Sequence, residues 1–372
     1  MRNNTKIIKI GGYSHVRAVE IGGTKPVAVQ TMWKDSLCGS DLNSVASRID
    51  LLESMGCDLL RFAVPDLQSA DILGALSLKV SMPLIADIHF DYKIALRCMD
   101  FPIAKIRVNP GNIGGKDKVR AVLEKASEKK IPIRIGVNAG SLPADIREKI
   151  DEGGLTAAEA LVESAMREIA VFEEFGFDNY LVSMKAHTIA DNIEAARIFR
   201  ERSGAPLHIG VTEAGPLVRG VARSSAALVT LLKEGLGDTI RVSLSDTEEN
   251  ELAAAKEILR AAGELAGLES GKFCERLRSG GAQIVSCPRC GRHGFDTLKF
   301  TSRWLSKLYT VKKDITVAIM GCEVNGPIEA KNADIGITGT GDKVLIFKHG
   351  KIIRTIKAED ADAIFEEELN QL

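Results

Sequence analysis

KIRVN at residues 105–109 alternates polar and apolar side chains. In an extended chain, Lys105, Arg107 and Asn109 share one face and Ile106 and Val108 the other. The pattern returns in RIGVN at 134–138, where Arg134, Gly136 and Asn138 oppose Ile135 and Val137, and in TIRVSL at 239–244, where Thr239, Arg241 and Ser243 oppose Ile240, Val242 and Leu244. The apolar faces must be covered by helices, which leaves the cationic faces to line an interior. Working outward, the candidate strands are Val27–Met32, Leu59–Val64, Leu84–Ile88, Lys105–Asn109, Pro132–Asn138, Tyr180–Met184, Leu207–Glu213 and Thr239–Leu244, eight in all. Helical periodicity fills the gaps, as in Lys116–Lys129, Ala157–Phe175, Ala190–Arg202, Ser224–Glu234 and Glu248–Ala266. Such alternation implies right-handed βαβ units and a parallel sheet. Eight units within residues 1–266 predict an α/β fold of the (β/α)8 TIM-barrel type. The alternative, a doubly wound open sheet, lacks its G-x-G-x-x-G after an early strand.

Beyond the barrel, GLESGKFCERLRSGG at 267–281 reads as a linker. Residues 282–372 predict a small α+β domain, with strands at Ile284–Ser286, Ile315–Ile319, Val344–Phe347 and Ile352–Thr355, a helix near 299–309 and a last helix from Ala361. The composition, 45% hydrophobic and 27% charged over 372 residues, is that of an ordinary globular chain. Lys+Arg 49 against Asp+Glu 50 leaves no broad basic field for nucleic acid or an anionic membrane, so any anion site is local. No apolar run approaches the roughly 18 residues of a spanning helix, and MRNNTKIIKIGG lacks the apolar core of a secretory signal. Seven cysteines is an odd count, and Cys38, Cys57, Cys98 and Cys274 show no motif spacing. A reduced cytoplasmic setting is expected rather than a disulfide framework.

Barrel enzymes work at the C-terminal ends of their strands. Arg107, Arg134, Lys185 and Arg241 come from four different strands there, and interior cations are costly unless they meet an anion. Phosphate or diphosphate is the leading ligand, with internal pairing to Asp87 or Glu213 as the competing account. Arg61, His89, Ser183 and Thr212 add polar groups near other strand ends, while Lys105, near its strand's start, reads as structural. Lys185 has a second reading as a Schiff-base lysine if burial and its cationic neighbours depress its pKa.

In the second domain, SCPRCGR at 286–292 sets Cys287 and Cys290 in a C-x-x-C, and Cys322 follows in MGCEVNGPIEA at 320–330. Two thiolates at that spacing meet one metal at little conformational cost. Three cysteines leave two accounts open. Zinc would need His293 as fourth ligand, and an iron–sulfur cluster would leave one iron for another group, with Glu329, seven residues past Cys322, the nearest carboxylate able to cap it after a Gly-Pro turn. A redox dithiol lacks its thioredoxin-like context. A radical S-adenosylmethionine enzyme lacks its C-x-x-x-C-x-x-C.

Taken together, AVPD at 63–66, ADIHFDY at 86–92, KIRVNPGNIG at 105–114, GVNAGSL at 136–142, PLHIGVTEAG at 206–215, GDTIRVSL at 237–244, SCPRCGR at 286–292 and MGCEVNGP at 320–327 closely resemble the (E)-4-hydroxy-3-methylbut-2-enyl diphosphate synthase family of the non-mevalonate isoprenoid pathway, in its two-domain bacterial form. The resemblance implies one 4Fe–4S cluster per chain on Cys287, Cys290, Cys322 and Glu329. It implies the substrate 2-C-methyl-D-erythritol 2,4-cyclodiphosphate, opened with two electrons from ferredoxin or flavodoxin. It puts Arg107, Arg134, Asn138, Lys185, Arg241 and Ser243 on the diphosphate, with Arg61, Asp87 and His89 completing the substrate set and Glu213 as proton donor. It also implies a head-to-tail homodimer in which each cluster caps the partner's barrel, consistent with a linker of 15 residues that spans at most about 50 Å. A cluster-binding paralogue without turnover and a Schiff-base lyase with a zinc tail are the alternatives. Two departures stand out. Ile328 replaces the family's usual Gly before the ligand glutamate, where a branched residue disfavours any positive-φ turn, and QTMWKDSL at 30–37 replaces a Q-S-M-T-x-T pattern.

Overall fold

The structure is a computed structural model that describes residues 5–266, 281–288, 290, 291, 293–322 and 326–372. The chain forms two compact units, Met1–Ser279 and Gly280–Leu372. Most of the segment read as a linker, 267–280, lies outside the described residues.

The first unit opens with a hairpin absent from the sequence expectations, β1 (Ile8–Ile10) paired antiparallel with β2 (Val19–Ile21). Its two strands alternate, burying Ile8, Ile10, Val19 and Ile21 and exposing Lys9 and Glu20. The buried side chains pack on Ala28, Leu59, Ile85 and Leu181, so the hairpin plugs the end of the barrel where the strands begin.

Eight parallel strands follow: β3 (Ala28–Met32), β4 (Leu59–Ala63), β5 (Leu84–Asp87), β6 (Lys105–Val108), β7 (Ile133–Asn138), β8 (Tyr180–Lys185), β9 (His208–Ile209) and β10 (Thr239–Ile240). Their order is β8-β7-β6-β5-β4-β3-β10-β9, and a parallel bridge between Val182 and Leu207 brings the two ends together. The fold is the expected barrel, but β9 and β10 are much shorter than Leu207–Glu213 and Thr239–Leu244. The ladder persists as far as Arg241 N to Ile209 O, 3.1 Å. Beyond it, Leu244 N donates to the Glu251 carboxylate at 2.9 Å instead of to a neighbouring strand. On the β9 side, Glu213 turns the chain with φ of 50°.

Helices cover the outer faces. Asp41, Asp66, Asp91, Thr156, Thr188 and Thr247 cap helix N-termini with side-chain oxygens, and Thr156 forms a full capping box with Glu159. The helix expected from Ser224 begins at Leu217, directly after Pro216. Gly220 inside it reads as a breaker, yet a Cβ there would lie 2.4 Å from Leu244 Cδ2, so close approach to the strand end requires glycine.

The second unit is a five-stranded sheet, β11 (Ala282–Ser286), β12 (Ile315–Ile319), β13 (Ile335–Gly339), β14 (Lys343–Lys348) and β15 (Lys351–Lys357), in sequential order. The first three are parallel and the rest antiparallel. Its core joins Val317, Ile319, Ile335, Ile337 and Ile346 to Phe300, Trp304 and Phe365 of the helices Thr297–Thr310 and Ala361–Asn370. Fully buried β13 is not among the strands expected from the sequence. Gly336 is needed there: a Cβ would sit 2.1 Å from the Phe347 ring across the ladder. Among the described residues, no helix is long and apolar enough to cross a membrane.

Candidate active site and metal-ligating cysteines

Strand register places the cations in one lumen. Arg107 pairs with Arg134 between β6 and β7, Arg61 lies beside Ile85 between β4 and β5, and Asn138 is level with Lys185 between β7 and β8. Asp87 holds two of them, with Oδ2 3.0 Å from Arg61 Nη2 and Oδ1 3.1 Å from Arg107 Nη1. His89 closes this knot, its Nε2 3.4 Å from Asp87 and 3.3 Å from Arg107 Nη1. Arg134 donates to Ser183 Oγ at 2.6 Å. Glycine makes the room: a Cβ on Gly136 would lie 2.6 Å from Arg107 Nε. The competing account of internal pairing therefore holds for Asp87, which binds Arg61 and Arg107, and not for Glu213.

Charge in this lumen is unbalanced. Burial alone would raise the Asp87 carboxyl, but Arg61, the hydrogen bond with His89 and Arg107 outweigh it and hold it well below the usual carboxylate range. Burial, with Arg241 and Arg107 nearby, brings Arg61 down to about 10 despite Asp87. Lys185 lies well below its ordinary value, through burial first and then through Arg241, Arg134, Arg61 and Arg107. Arg134 is pushed the same way by burial and by Arg61 and Arg107. Guanidinium groups keep their protons, so Lys185 is where the repulsion is most readily relieved. The buried Nε atoms of Arg61, Arg107 and Arg134, with Arg134 Nη2, also have no hydrogen-bond partner. A cluster of donors short of acceptors is built for an anion. Deeper in, Lys105 is fully buried, touches Gln30 Oε1 at 3.4 Å and stands well below its ordinary pKa through burial, Arg134 and Arg61, a place consistent with a structural role.

Two residues at this end were not singled out from the sequence. Glu251 is almost wholly buried and gathers Thr31 Oγ1 (2.6 Å), Leu244 N (2.9 Å), Lys34 Nζ (3.1 Å) and Arg241 Nη2 (3.4 Å). It thereby fixes Arg241 and the loop after β10. The signal was available: Glu248 and Glu251 fall on the same buried helix face as Leu252 and Ala255. Glu251→Ala takes the carboxylate from part-buried Arg241 and one of three oxygen partners from Lys34, and is expected to cost about 3–5 kcal/mol in stability, read by anaerobic chemical denaturation. The second is His187, whose Nδ1 lies 3.2 Å from Glu213 Oε2 at the open mouth. Glu213 itself has φ of 50°, a left-handed conformation that a non-glycine residue keeps only where surrounding structure enforces it. Asn138 ends β7 and Ser243 lies just beyond β10, both half-buried.

In the second unit, Cys287 follows β11 and Cys322 follows β12, the adjacent parallel strand. Cys287 N donates to Ile319 O at 3.0 Å, and a Cβ on Gly321 would lie 3.5 Å from Cys287 Sγ. Gly326 N donates to Cys322 O at 3.0 Å and opens the helical turn Gly326–Glu329 that carries Glu329. Ile328 lies in that turn with its side chain exposed, and it is not among the positive-φ residues, so the branched side chain imposes no left-handed strain. Among the described residues, no three Cys, His, Asp or Glu side chains already converge on a metal position. The donor chemistry nonetheless fits an iron–sulfur group, with soft thiolates and one carboxylate at one end of one sheet. His293 sits with Nδ1 2.7 Å from Cys290 O, turned to the backbone.

Comparison with known proteins bears on both units. A family model described as the GcpE TIM-barrel domain matches residues 12–256, and one described as the GcpE protein C-terminal domain matches 283–371. A 4-hydroxy-3-methylbut-2-en-1-yl diphosphate synthase (flavodoxin) of Treponema pallidum is 50% identical, over 98% of this chain and 91% of its own. The protein of the same name from Treponema denticola is 47% identical, over 99% and 98%, and that of Thermodesulfovibrio yellowstonii 44%, over 98% of each. Among solved structures, a dihydropteroate synthetase gives a TM-score of 0.47 at 14% identity, over 72% of this chain and 100% of its own. The named synthases lend no support to a lyase or to a paralogue without turnover.

Proposed function

This chain belongs to the GcpE family, and from that premise we propose that it makes (E)-4-hydroxy-3-methylbut-2-enyl diphosphate by reductive opening of 2-C-methyl-D-erythritol 2,4-cyclodiphosphate. The enzyme is an oxidoreductase of isoprenoid biosynthesis, and its electrons come from flavodoxin, the donor named in its relatives. The observation that carries this reading is the lumen of buried guanidinium groups with unpaired N–H donors. A cyclic diphosphate supplies the missing acceptors, and ring opening frees a phosphate terminus whose added charge the same donors stabilise.

Arg107, Arg134, Lys185 and Arg241 hold the diphosphate, with Asn138 and Ser243 at the rim. Asp87 acts through Arg61 and Arg107, fixing both guanidinium groups before substrate arrives. Glu213, paired with His187, delivers the proton with which the C3 oxygen leaves as water. Cys287, Cys290, Cys322 and Glu329 would hold a 4Fe–4S cluster, which when bound would pass on the donor's two electrons one at a time and supply a Lewis-acidic iron.

The assembly we propose is a head-to-tail homodimer in which the partner's second domain covers the barrel mouth. Support comes from apolar side chains exposed at both working ends: Phe90 (75%) and Val218 (83%) at the mouth, Leu298 (67%) and Ile328 (70%) near the thiols.

Substrate binding is the experiment that tests the site. A bound diphosphate raises the depressed Lys185 pKa, so binding takes up a proton at any pH between its values in the free and the bound enzyme. Affinity falls as pH rises through the pKa of the free enzyme, where the ammonium is lost. Calorimetry of the cyclodiphosphate in buffers of different ionisation enthalpy is expected to show that uptake. Lys185→Ala is expected to remove it and weaken binding at least about tenfold with the cluster spectrum unchanged. Unchanged affinity in Lys185→Ala would take Lys185 out of the site.

A further inference from the structure

The divergent loop QTMWKDSL does more than follow β3. It walls a cavity of about 510 Å³ that opens beside Arg241, with Met32, Trp33, Leu37, Phe62 and Leu244 as its apolar lining. That volume lies within the usual range of small-molecule pockets, roughly 300–1,000 Å³. The wall is braced. Trp33 stacks on Phe62 with ring centroids 5.6 Å apart, and Arg48 lies over the indole at 5.1 Å. Lys34 is tied to the carbonyl oxygens of Leu244 and Asp246 and to Glu251, which fixes the loop against the end of β10. Among the described residues, the one buried side-chain donor of this wall without a partner is Trp33 Nε1. The polar lining beside Arg241 is partly engaged, Lys34 by Glu251, Asp35 by Arg48 and Ser36 by Cys38 N, so the apolar side of the cavity suits a hydrocarbon chain better than a sugar or a peptide.

We propose that this cavity is a subsite for the hydrocarbon chain of a linear prenyl diphosphate longer than five carbons. The diphosphate lies on Arg241 and the neighbouring cations, and the chain runs over Leu37 and Phe62. The proposal rests on the reading of Arg241 as a diphosphate ligand. Such molecules then compete with the cyclic substrate for the same cations. Because five-carbon allylic diphosphates are the units from which longer chains are condensed, the subsite makes the enzyme responsive to the products of later chain elongation.

The test is inhibition of the reconstituted holoenzyme by methyl, dimethylallyl, geranyl and farnesyl diphosphate, paired with calorimetric binding of each. The inhibition constant is expected to fall at least about tenfold from dimethylallyl to geranyl diphosphate, competitively with the cyclodiphosphate. Leu37→Glu, which places a carboxylate in the path of the chain, is expected to erase that dependence and leave methyl diphosphate unaffected. Ser69→Phe, which fills the cavity from a less buried position, serves the same purpose if Leu37→Glu fails to fold. Equal inhibition by all four compounds in the unmodified enzyme would overturn the subsite while sparing the diphosphate site. Failure of even methyl diphosphate to bind would instead overturn the reading of Arg241.

Discussion

Replacing Cys322 with serine is expected to abolish turnover, a loss of at least about a thousandfold, while leaving the barrel able to bind cyclodiphosphate. Cys322 follows β12, and its carbonyl oxygen anchors the turn that carries Glu329. Removing its thiol therefore takes one of three soft ligands from a site with only a carboxylate in reserve. Iron per chain is expected to fall from about four to a fraction of that, with loss of the visible absorbance of the cluster. Substrate affinity is expected to stay within about twofold, because the residues proposed to hold the diphosphate all belong to the first unit. A serine variant that keeps full iron and full turnover would remove Cys322 from the ligand set.

The second large effect is expected at Glu213. Glu213→Gln preserves size and hydrogen-bonding reach but has no proton to give, so kcat is expected to fall about 10²–10⁴-fold with little change in KM. The backbone argues for a role beyond packing. A non-glycine residue at φ of 50°, with an exposed carboxylate facing His187, contributes little to the core. Folding and cluster content serve as controls. Glu213→Asp, which keeps the acid on a shorter arm, is expected to recover part of the rate. Equal loss in Asp and Gln variants would mean that the residue shapes the loop rather than moves a proton.

The barrel was legible because its signal is local. In KIRVN and RIGVN the alternation alone sorts interior from exterior, and β6 and β7 lie where it places them. What stayed hidden depends on partners far along the chain. Glu251 meets Thr31 across 220 positions, and His187 meets Glu213 from a different loop, so neither pairing leaves a mark in its own neighbourhood. The strand β10 was overextended for the same reason, since a carboxylate from a later helix takes the Leu244 amide that a longer ladder would have used, while β9 stops short of the left-handed turn at Glu213. The β1–β2 hairpin has strands of three residues, too short for periodicity to register. Gly336 in β13 is there for the Phe347 ring, which only the folded sheet brings into contact. In the second unit the cysteine spacing left zinc and an iron–sulfur cluster both open, and only the family resemblance pointed to Glu329 as a ligand; Ile328 before it sits in a helical turn without a positive φ.

The central claim is that a diphosphate held by the barrel cations is reduced at the cysteine-bound cluster. It is tested most directly by an anaerobic single turnover of the full chain, reconstituted with iron and sulfide. The cluster is reduced, cyclodiphosphate is added with reductant in excess so that a second electron is available, and (E)-4-hydroxy-3-methylbut-2-enyl diphosphate is followed by mass spectrometry alongside bound substrate. The expected result is a full cluster and product accumulating at one molecule for every two electrons delivered. A full, reduced cluster with cyclodiphosphate bound and no open-chain product would contradict it.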